Sequence, residues 1–136
     1  MIYISKSEEE TENLGFQLAR SINLNNLPIV IRLFGDLGSG KTTFARGFLK
    51  FFNIKHIRSP SFVIVIEYKY QDIFIYHMDF YRLSFKEVVN FDFSEILKKK
   101  SIVLIEWCPK EFEFQNSIDV YFEIISENER TLKFML

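Results

Sequence analysis

The sequence predicts an α/β fold: a single domain over residues 1–136 in which helices flank a mixed β-sheet, with a C-terminal antiparallel strand pair. Three observations predict it. Strand-like and helix-like apolar patterns alternate along the chain. A short apolar run at residues 29–34 leads through a glycine-rich loop into an amphipathic pattern. Two alternating runs follow at residues 120–124 and 131–136, separated by polar residues 127–129.

The first half of the chain predicts a helix, a buried strand and a second helix. Ser7 followed by Glu10 is typical of a capping box that opens a helix, and the asparagine-rich residues 23–26 end it. Residues 29–34 are mostly apolar, as in a strand buried on both faces. The second helix begins at Lys41, and its apolar stripe consists of Phe44, Phe48 and Phe52.

The second half predicts more strands than helices. Residues 62–70 and 73–79 are strand-like and close enough to form a hairpin around Gln71 and Asp72. A weaker helical pattern covers residues 85–99, and an apolar strand follows at residues 102–105.

The composition is that of a compact globular protein. Hydrophobic residues make up 48% of the chain and charged residues 26%, so a core can form without disulfides. Cys108 is the single cysteine, which excludes a disulfide framework and a cysteine-based zinc site. The formal charge of −1 argues against binding nucleic acid by bulk electrostatics. We see no signal peptide and no membrane-length apolar run, and therefore expect a cytoplasmic protein with no membrane contact.

Residues 35–42 match the phosphate-binding pattern Gly-x-x-x-x-Gly-Lys-Thr, and they lie between a predicted strand and a predicted helix. Glycines let successive backbone N–H groups point at phosphate oxygens, and the helix adds its positive dipole end. Lys41 would reach the β- and γ-phosphates, and the Thr42 hydroxyl would ligate magnesium. The glycine spacing differs from that of a dinucleotide fingerprint. The pattern predicts a purine nucleoside triphosphate, ATP with Mg²⁺.

Two carboxylates are candidates for the metal side of this site. Glu106 follows the strand at residues 102–105, and Asp79 ends the run at 73–78. We favour Glu106 as the metal-side acid and Asp79 as the group that positions water or a switch segment. The two roles could be exchanged, and either residue could be an ordinary surface carboxylate. For Trp107, which follows Glu106, core packing and a partner contact are both plausible. His77 lies on the same strand face as Asp79, and we expect it to be a hydrogen-bonded core residue rather than a catalytic one.

Four separated motifs in this order resemble one family. They are Gly35-Asp36-Leu37-Gly38-Ser39-Gly40-Lys41-Thr42-Thr43-Phe44, then Ser59-Pro60-Ser61-Phe62, then Tyr76-His77-Met78-Asp79-Phe80-Tyr81-Arg82-Leu83, then Ile105-Glu106-Trp107. Together they resemble the bacterial TsaE (YjeE) family, the ATPase component of the machinery that makes threonylcarbamoyladenosine in tRNA. The chain departs from the pattern at Val63, where the family usually has a second hydroxyl in the switch-like loop, and at Met78, where it usually has an aromatic residue.

The resemblance implies a weak ATPase that uses Mg²⁺ and is stimulated by partners. The partners would be the threonylcarbamoyl transferase subunit and its non-catalytic companion, with tRNA contacted indirectly. The implied roles are catalysis for Lys41, Asp79 and Glu106; nucleotide binding for Thr11, Asp36, Leu37, Gly38, Ser39, Gly40, Lys41, Thr42, Thr43 and Arg130; metal binding for Thr42 and Glu106; and a switch or partner role for Ser59, Pro60, Ser61 and Trp107.

Other functions of a phosphate-binding loop stay open at this point. A small kinase would usually need a lid carrying arginines and an acceptor pocket. A GTPase would need an Asn-Lys-x-Asp motif, which the sequence lacks. A nucleotide-gated binding module with little catalysis would share the chemistry of the family's function and differ mainly in how much the protein depends on nucleotide hydrolysis.

Overall fold

The computed structural model describes residues 1–55, 57, 58, 60 and 63–135. Within these residues, seven strands form one sheet and four helices accompany it. The strands are β1 Ile2–Ser5, β2 Ile29–Phe34, β3 Val65–Tyr70, β4 Ile73–Asp79, β5 Ser101–Glu106, β6 Ser117–Ile124 and β7 Arg130–Met135. The helices are α1 Glu8–Ser21, α2 Lys41–Phe51, α3 Phe85–Val89 and α4 Ser94–Leu97.

The strand order is β1-β7-β6-β2-β5-β4-β3, and the sheet is mixed. The central strands β6, β2, β5 and β4 are parallel, whereas β3 and β7 run antiparallel to their neighbours. The predicted α/β class, the hairpin around Gln71 and Asp72, and the C-terminal antiparallel pair are thereby confirmed. The assignment of residues 1–136 to one domain stays a prediction. In the part of the chain that the structure describes, no helix is long and apolar enough to cross a membrane.

Helices α1 and α2 cover one face of the sheet, where the larger core lies. Phe44, Phe48 and Phe52 are buried there, as the sequence predicts, and pack against strand residues such as Ile31 and Leu104. The two helices approach closely at two glycines. A Cβ atom at Gly47 would overlap the Glu12 carbonyl, and one at Gly15 would overlap the Phe44 carbonyl. The small residues therefore set the distance between α1 and α2.

Several predicted boundaries need correction. The helix expected at residues 85–99 is two short helices, because Asp92 Oδ1 accepts hydrogen bonds from the backbone N and the hydroxyl of Ser94 and turns the chain between them. The predicted start of β3, residue 62, lies outside the described residues. The strand itself begins at Val65, since Ile64 has φ +71° and its N–H donates to the Pro60 carbonyl.

The start of the chain differs from the sequence prediction in two ways. Strand β1, which we did not predict, pairs with β7. The capping box at α1 is only half formed: the Ser7 hydroxyl accepts from Glu10 N at 3.0 Å, but the Glu10 carboxylate accepts from Lys6 N rather than from Ser7 N.

Candidate nucleotide-binding site

The glycine-rich loop joins β2 to α2 at the carboxyl edge of the parallel strands. Gly40, the residue before the helix, has φ +103°, a conformation that favours glycine. No side chain within the described residues caps α2 by a hydrogen bond at this end. The first amide groups of α2 therefore keep their hydrogen-bonding capacity at the positive end of the helix dipole. This arrangement suits an anion such as a phosphate group.

Lys41 brings a positive charge into the same place. Its side chain is buried, and Nζ donates to the Gly35 carbonyl and, at 2.9 Å, to the Asp36 carbonyl. Nζ also lies 4.4 Å from the centre of the Trp107 ring. Burial lowers the pKa of Lys41, and the negative charges of Glu106, Asp79 and Asp36 oppose that effect only in part. A bound anion would restore the electrostatic stabilisation that the ammonium group has lost.

Glu106 connects this loop to the neighbouring strand. Thr42 Oγ1 donates to Glu106 Oε1 at 3.0 Å, and the carboxylate is almost fully buried at the end of β5. Asp79 ends β4 directly opposite Glu106 in the parallel register. Asp79 Oδ1 accepts a hydrogen bond from the backbone N of Tyr81 at 2.9 Å. The two predicted acids therefore lie side by side at one edge of the sheet.

The donor set of Thr42 and Glu106 fits a magnesium ion bound jointly with phosphates. Mg²⁺ is usually held by one or two protein oxygens together with substrate phosphates and water. Thr42 supplies a hydroxyl oxygen and Glu106 a carboxylate oxygen, 3.0 Å apart. Within the described residues there is no cluster of three or more His, Cys, Asp or Glu side chains that could hold a metal without such help.

A cavity of about 470 Å³ joins these groups. Among the residues that line it are the predicted site residues Thr11, Leu37, Gly38, Gly40, Lys41, Thr42, Thr43, Asp79, Glu106, Trp107 and Arg130. Asp36, Ser39 and Pro60 are described but do not belong to this wall, and Ser39 is buried behind it. Ser59 and Ser61 of the switch-like loop lie outside the described residues.

Arg130 links the β6–β7 turn to the phosphate-binding loop. Its Nη2 donates to the Gly38 carbonyl at 3.1 Å, and its Nη1 donates to the Ser126 carbonyl at 2.7 Å. Thr11 lies on the same cavity wall, with its hydroxyl 2.7 Å from the Ser5 hydroxyl. These two residues, predicted to lie near the nucleoside, do face the same cavity as Lys41.

Sequence reasoning missed several residues of the cavity wall. They are Ser7, Glu8, Tyr81, Glu127 and Asn128. The turn residues 127 and 128 reach the cavity because β6 lies parallel to β2 and ends beside the glycine-rich loop, and no local pattern reports that placement. Sequence reasoning also missed the partner of His77, whose Nε2 lies 2.7 Å from Glu106 Oε2. The shared face of His77 and Asp79 was the available signal.

A sheet with parallel central strands, a glycine-rich loop, a lysine and a threonine at the start of a helix, and a carboxylate on the adjacent strand together define the P-loop class of nucleotide-binding proteins. Within that class, the family model described as threonylcarbamoyl adenosine biosynthesis protein TsaE matches residues 5–132. The chain belongs to the TsaE family.

Individual relatives agree with this assignment. The chain is 39% identical over 132 residues to the tRNA threonylcarbamoyladenosine biosynthesis protein TsaE of Rickettsia felis, which covers 93% of this chain and 75% of the relative. It is 35% identical to the protein of the same name from Aquifex aeolicus, over 96% of this chain and 92% of the relative. The crystal structure of Bacillus subtilis YdiB superposes with a TM-score of 0.77 at 28% identity, over 98% of this chain and 83% of that one.

Proposed function

We propose that this protein binds ATP with Mg²⁺ and hydrolyses it slowly, as a component of the machinery that forms N6-threonylcarbamoyladenosine in tRNA. The names of the relatives from Rickettsia felis and Aquifex aeolicus support the pathway. The observation that carries the chemistry is the convergence of Lys41, Thr42 and Glu106 at the N-terminus of α2, inside one cavity.

The geometry supports an individual role for each of these residues. Backbone amides of residues 36–43 would hold the phosphates, and Lys41 would contact the β- and γ-phosphates. Thr42 and Glu106 would hold Mg²⁺, which supplies charge neutralisation on the phosphate oxygens. Asp79, next to Glu106 in the register, would position the attacking water. Thr11 and Arg130, on the same cavity wall, would contact the nucleoside.

The partner subunits are proposed from the family and from the surface around the cavity. The side chains of Leu37, Tyr81 and Val63 are 61%, 53% and 55% exposed, and the first two line the cavity. Exposed apolar groups beside a polar site suit a protein interface. We propose that the threonylcarbamoyl transferase subunit and its companion bind there, and that residues 59–61 act as a switch segment. With a formal charge of −1, the chain would contact tRNA indirectly. We propose that the protein acts in the cytoplasm.

The direct test is to incubate the purified protein with ATP or GTP, with Mg²⁺ or with EDTA, and to identify the products. We expect preferential ATP binding, slow release of ADP and phosphate that requires Mg²⁺, and acceleration by the two partner subunits. Transfer of the γ-phosphate to a small acceptor would instead indicate a kinase. Tight binding of ATP without hydrolysis, even with the partners, would indicate a nucleotide-gated binding module.

A further inference from the structure

The Glu106 carboxylate is divided between two partners, and only one of them belongs to the phosphate-binding loop. Oε1 accepts from Thr42 Oγ1 at 3.0 Å, and Oε2 lies 2.7 Å from His77 Nε2. The side chains of His77 and Glu106 are 0% and 3% exposed. Buried hydrogen bonds to a carboxylate are short and directional, so this pair fixes the carboxylate as well as contacting it.

The second ring nitrogen of His77 identifies which proton makes the bond. Nδ1 is buried and has no hydrogen-bond partner among the residues that the structure describes. Because a carboxylate accepts, Nε2 must donate, and a neutral ring then leaves only a lone pair on Nδ1. The network therefore assigns the Nε2–H tautomer, in which the buried N–H group is satisfied.

The strand register explains why the ring can reach Glu106. His77 lies on β4 opposite Leu104 of β5, and Asp79 lies opposite Glu106. His77 and Asp79 thus point to the same face of the sheet, with the ring one step further from the sheet edge. From that depth His77 contacts Glu106 from the core side and does not line the nucleotide cavity.

We propose that His77 is a positioning residue for the metal site: its hydrogen bond to Oε2 holds the Glu106 carboxylate so that Oε1 stays directed at Thr42. This inference rests on the proposed binding of Mg²⁺ by Thr42 and Glu106. Without the bond, the carboxylate can rotate about its side-chain torsions, and ordering it again upon metal binding costs free energy. Partners that orient a metal-binding side chain from behind commonly change metal affinity by about 10- to 100-fold.

The test compares His77→Gln with His77→Asn. The amide nitrogen of glutamine lies close to the position of Nε2. The amide nitrogen of asparagine lies close to the position of Nδ1, and this shorter side chain does not reach Glu106. Both variants place an amide in the same buried position, so a general cost of the substitution affects both. Mg²⁺ is titrated by calorimetry into protein saturated with a non-hydrolysable ATP analogue, and nucleotide affinity is measured separately in EDTA.

We expect His77→Asn to weaken Mg²⁺ binding by about 10- to 100-fold, and His77→Gln to restore most of it. Affinity for the nucleotide in EDTA should stay within about threefold of wild type in both, because the ring does not touch the cavity. Equal Mg²⁺ affinity in wild type and His77→Asn would overturn the proposal, as would an equal loss in both variants. If wild type itself shows no Mg²⁺-dependent nucleotide binding, the proposed function fails instead.

A spectroscopic measurement on protein that retains His77 provides an independent check. The chain has two histidines, so ¹⁵N-labelled histidine gives two ring spin systems, and His56→Gln identifies that of His77. We expect a proton on Nε2 in the metal-free protein, because Nε2 must donate to Glu106 Oε2. A ring protonated on Nδ1 alone could not donate to Glu106, and that result would exclude the positioning bond.

Discussion

Lys41 is a cation that the fold has largely withdrawn from water while leaving it at the edge of a cavity. Its pKa is lowered by burial, which means that the charged form is less stable here than in solution. Two loop carbonyls and the face of Trp107 replace only part of its hydration. A triphosphate offers more favourable contacts than these groups, so the free energy of nucleotide binding should depend strongly on this side chain.

The substitution Lys41→Ala should therefore weaken ATP binding while the fold survives. A charge-assisted hydrogen bond is worth about 1.5–3 kcal/mol, or about 10- to 100-fold in affinity. The unfolding midpoint should change little, because removing a poorly solvated charge offsets the loss of its contacts. Calorimetric titration and thermal unfolding measure the two effects. Lys50→Ala, on the same helix but outside the nucleotide cavity, is the control and should bind normally. Wild-type affinity in a folded Lys41→Ala protein would contradict the proposed site.

Glu106→Gln and Asp79→Asn test the carboxylates separately. Each substitution keeps the shape of the side chain and removes the charge that a hard cation or an attacking water requires. We expect binding of ATP in EDTA to stay close to wild type and Mg²⁺-dependent hydrolysis to fall by about 100-fold or more. Asp72→Asn, at the hairpin turn and 72% exposed at its side chain, serves as the control. Normal hydrolysis in one variant would remove the catalytic role of that carboxylate alone.

At the scale of elements, the contact between α1 and α2 depends on glycines with no room for a methyl group. Glycine inside a helix is usually unfavourable, and replacing it with alanine at an open position stabilises a protein by about 0.5–1 kcal/mol. At Gly47 the added Cβ would meet the main-chain carbonyl of Glu12, which cannot move without moving α1. Replacing Gly47 with alanine should therefore lower the free energy of unfolding, whereas the same replacement at an open helix position raises it.

Gly47→Ala should destabilise the protein by about 1–3 kcal/mol, the usual cost of overpacking. Urea unfolding followed by circular dichroism measures the change. Arg20→Ala, at an exposed position of α1, is the control and should stay within about 0.5 kcal/mol of wild type. An unchanged or raised midpoint for Gly47→Ala would show that the helices separate at little cost.

The elements that the sequence predicted well are those that local pattern determines. Residues 29–51 carry a buried strand, a glycine loop and an apolar stripe in direct succession, so strand, loop and helix could all be predicted. Strand β1 could not, because it has four residues and its pairing partner begins at Arg130. The break between α3 and α4 depends on one side-chain interaction, between Asp92 and Ser94, within a continuous helical pattern.

The residues of the candidate site fall into the same two groups, those that a local pattern indicates and those that only the assembled sheet brings together. Lys41, Thr42 and Glu106 could be named because a loop motif and a strand end place them. The bond between His77 and Glu106 depends on the register of β4 against β5, and the approach of Asn128 to the cavity depends on the parallel pairing of β6 with β2. Both are properties of the assembled sheet, and no window of sequence contains them.

On the scale of the whole molecule, Trp107 lies where the cavity of the proposed nucleotide site meets the surface. Its backbone has φ +63°, which is uncommon for a large side chain and places the ring over Lys41. The ring also packs on Tyr81 with centroids 4.8 Å apart, and Tyr81 is 53% exposed. Tryptophan and tyrosine are frequent at the centres of protein interfaces. A docked partner would therefore contact the aromatic ring that covers Lys41.

Trp107→Ala should reduce partner-stimulated ATP hydrolysis more than hydrolysis by the protein alone. Losing a central interface residue costs about 2 kcal/mol or more of binding free energy, whereas basal turnover loses only the contact with Lys41. Steady-state hydrolysis is measured over a range of partner concentrations. Trp107→Phe, which retains a ring, should fall between wild type and the alanine variant. A Trp107→Ala protein that responds to the partners as wild type does would exclude Trp107 from the interface.

The pairing of β1 with β7 has a consequence for the order of assembly during synthesis. Residues 2–5 are synthesised long before residues 130–133, yet the two segments are neighbouring strands of the sheet. Strand β1 must therefore stay unpaired until β7 has been synthesised, although the segment that carries Lys41 and Thr42 is made much earlier. Thr11 and Arg130, which line the same cavity, come together around it only after β7 has been added. A ribosome-bound fragment that lacks β7 would thus present the glycine-rich loop without the Arg130 side of the cavity, and the cavity wall would be complete only once β7 has been synthesised.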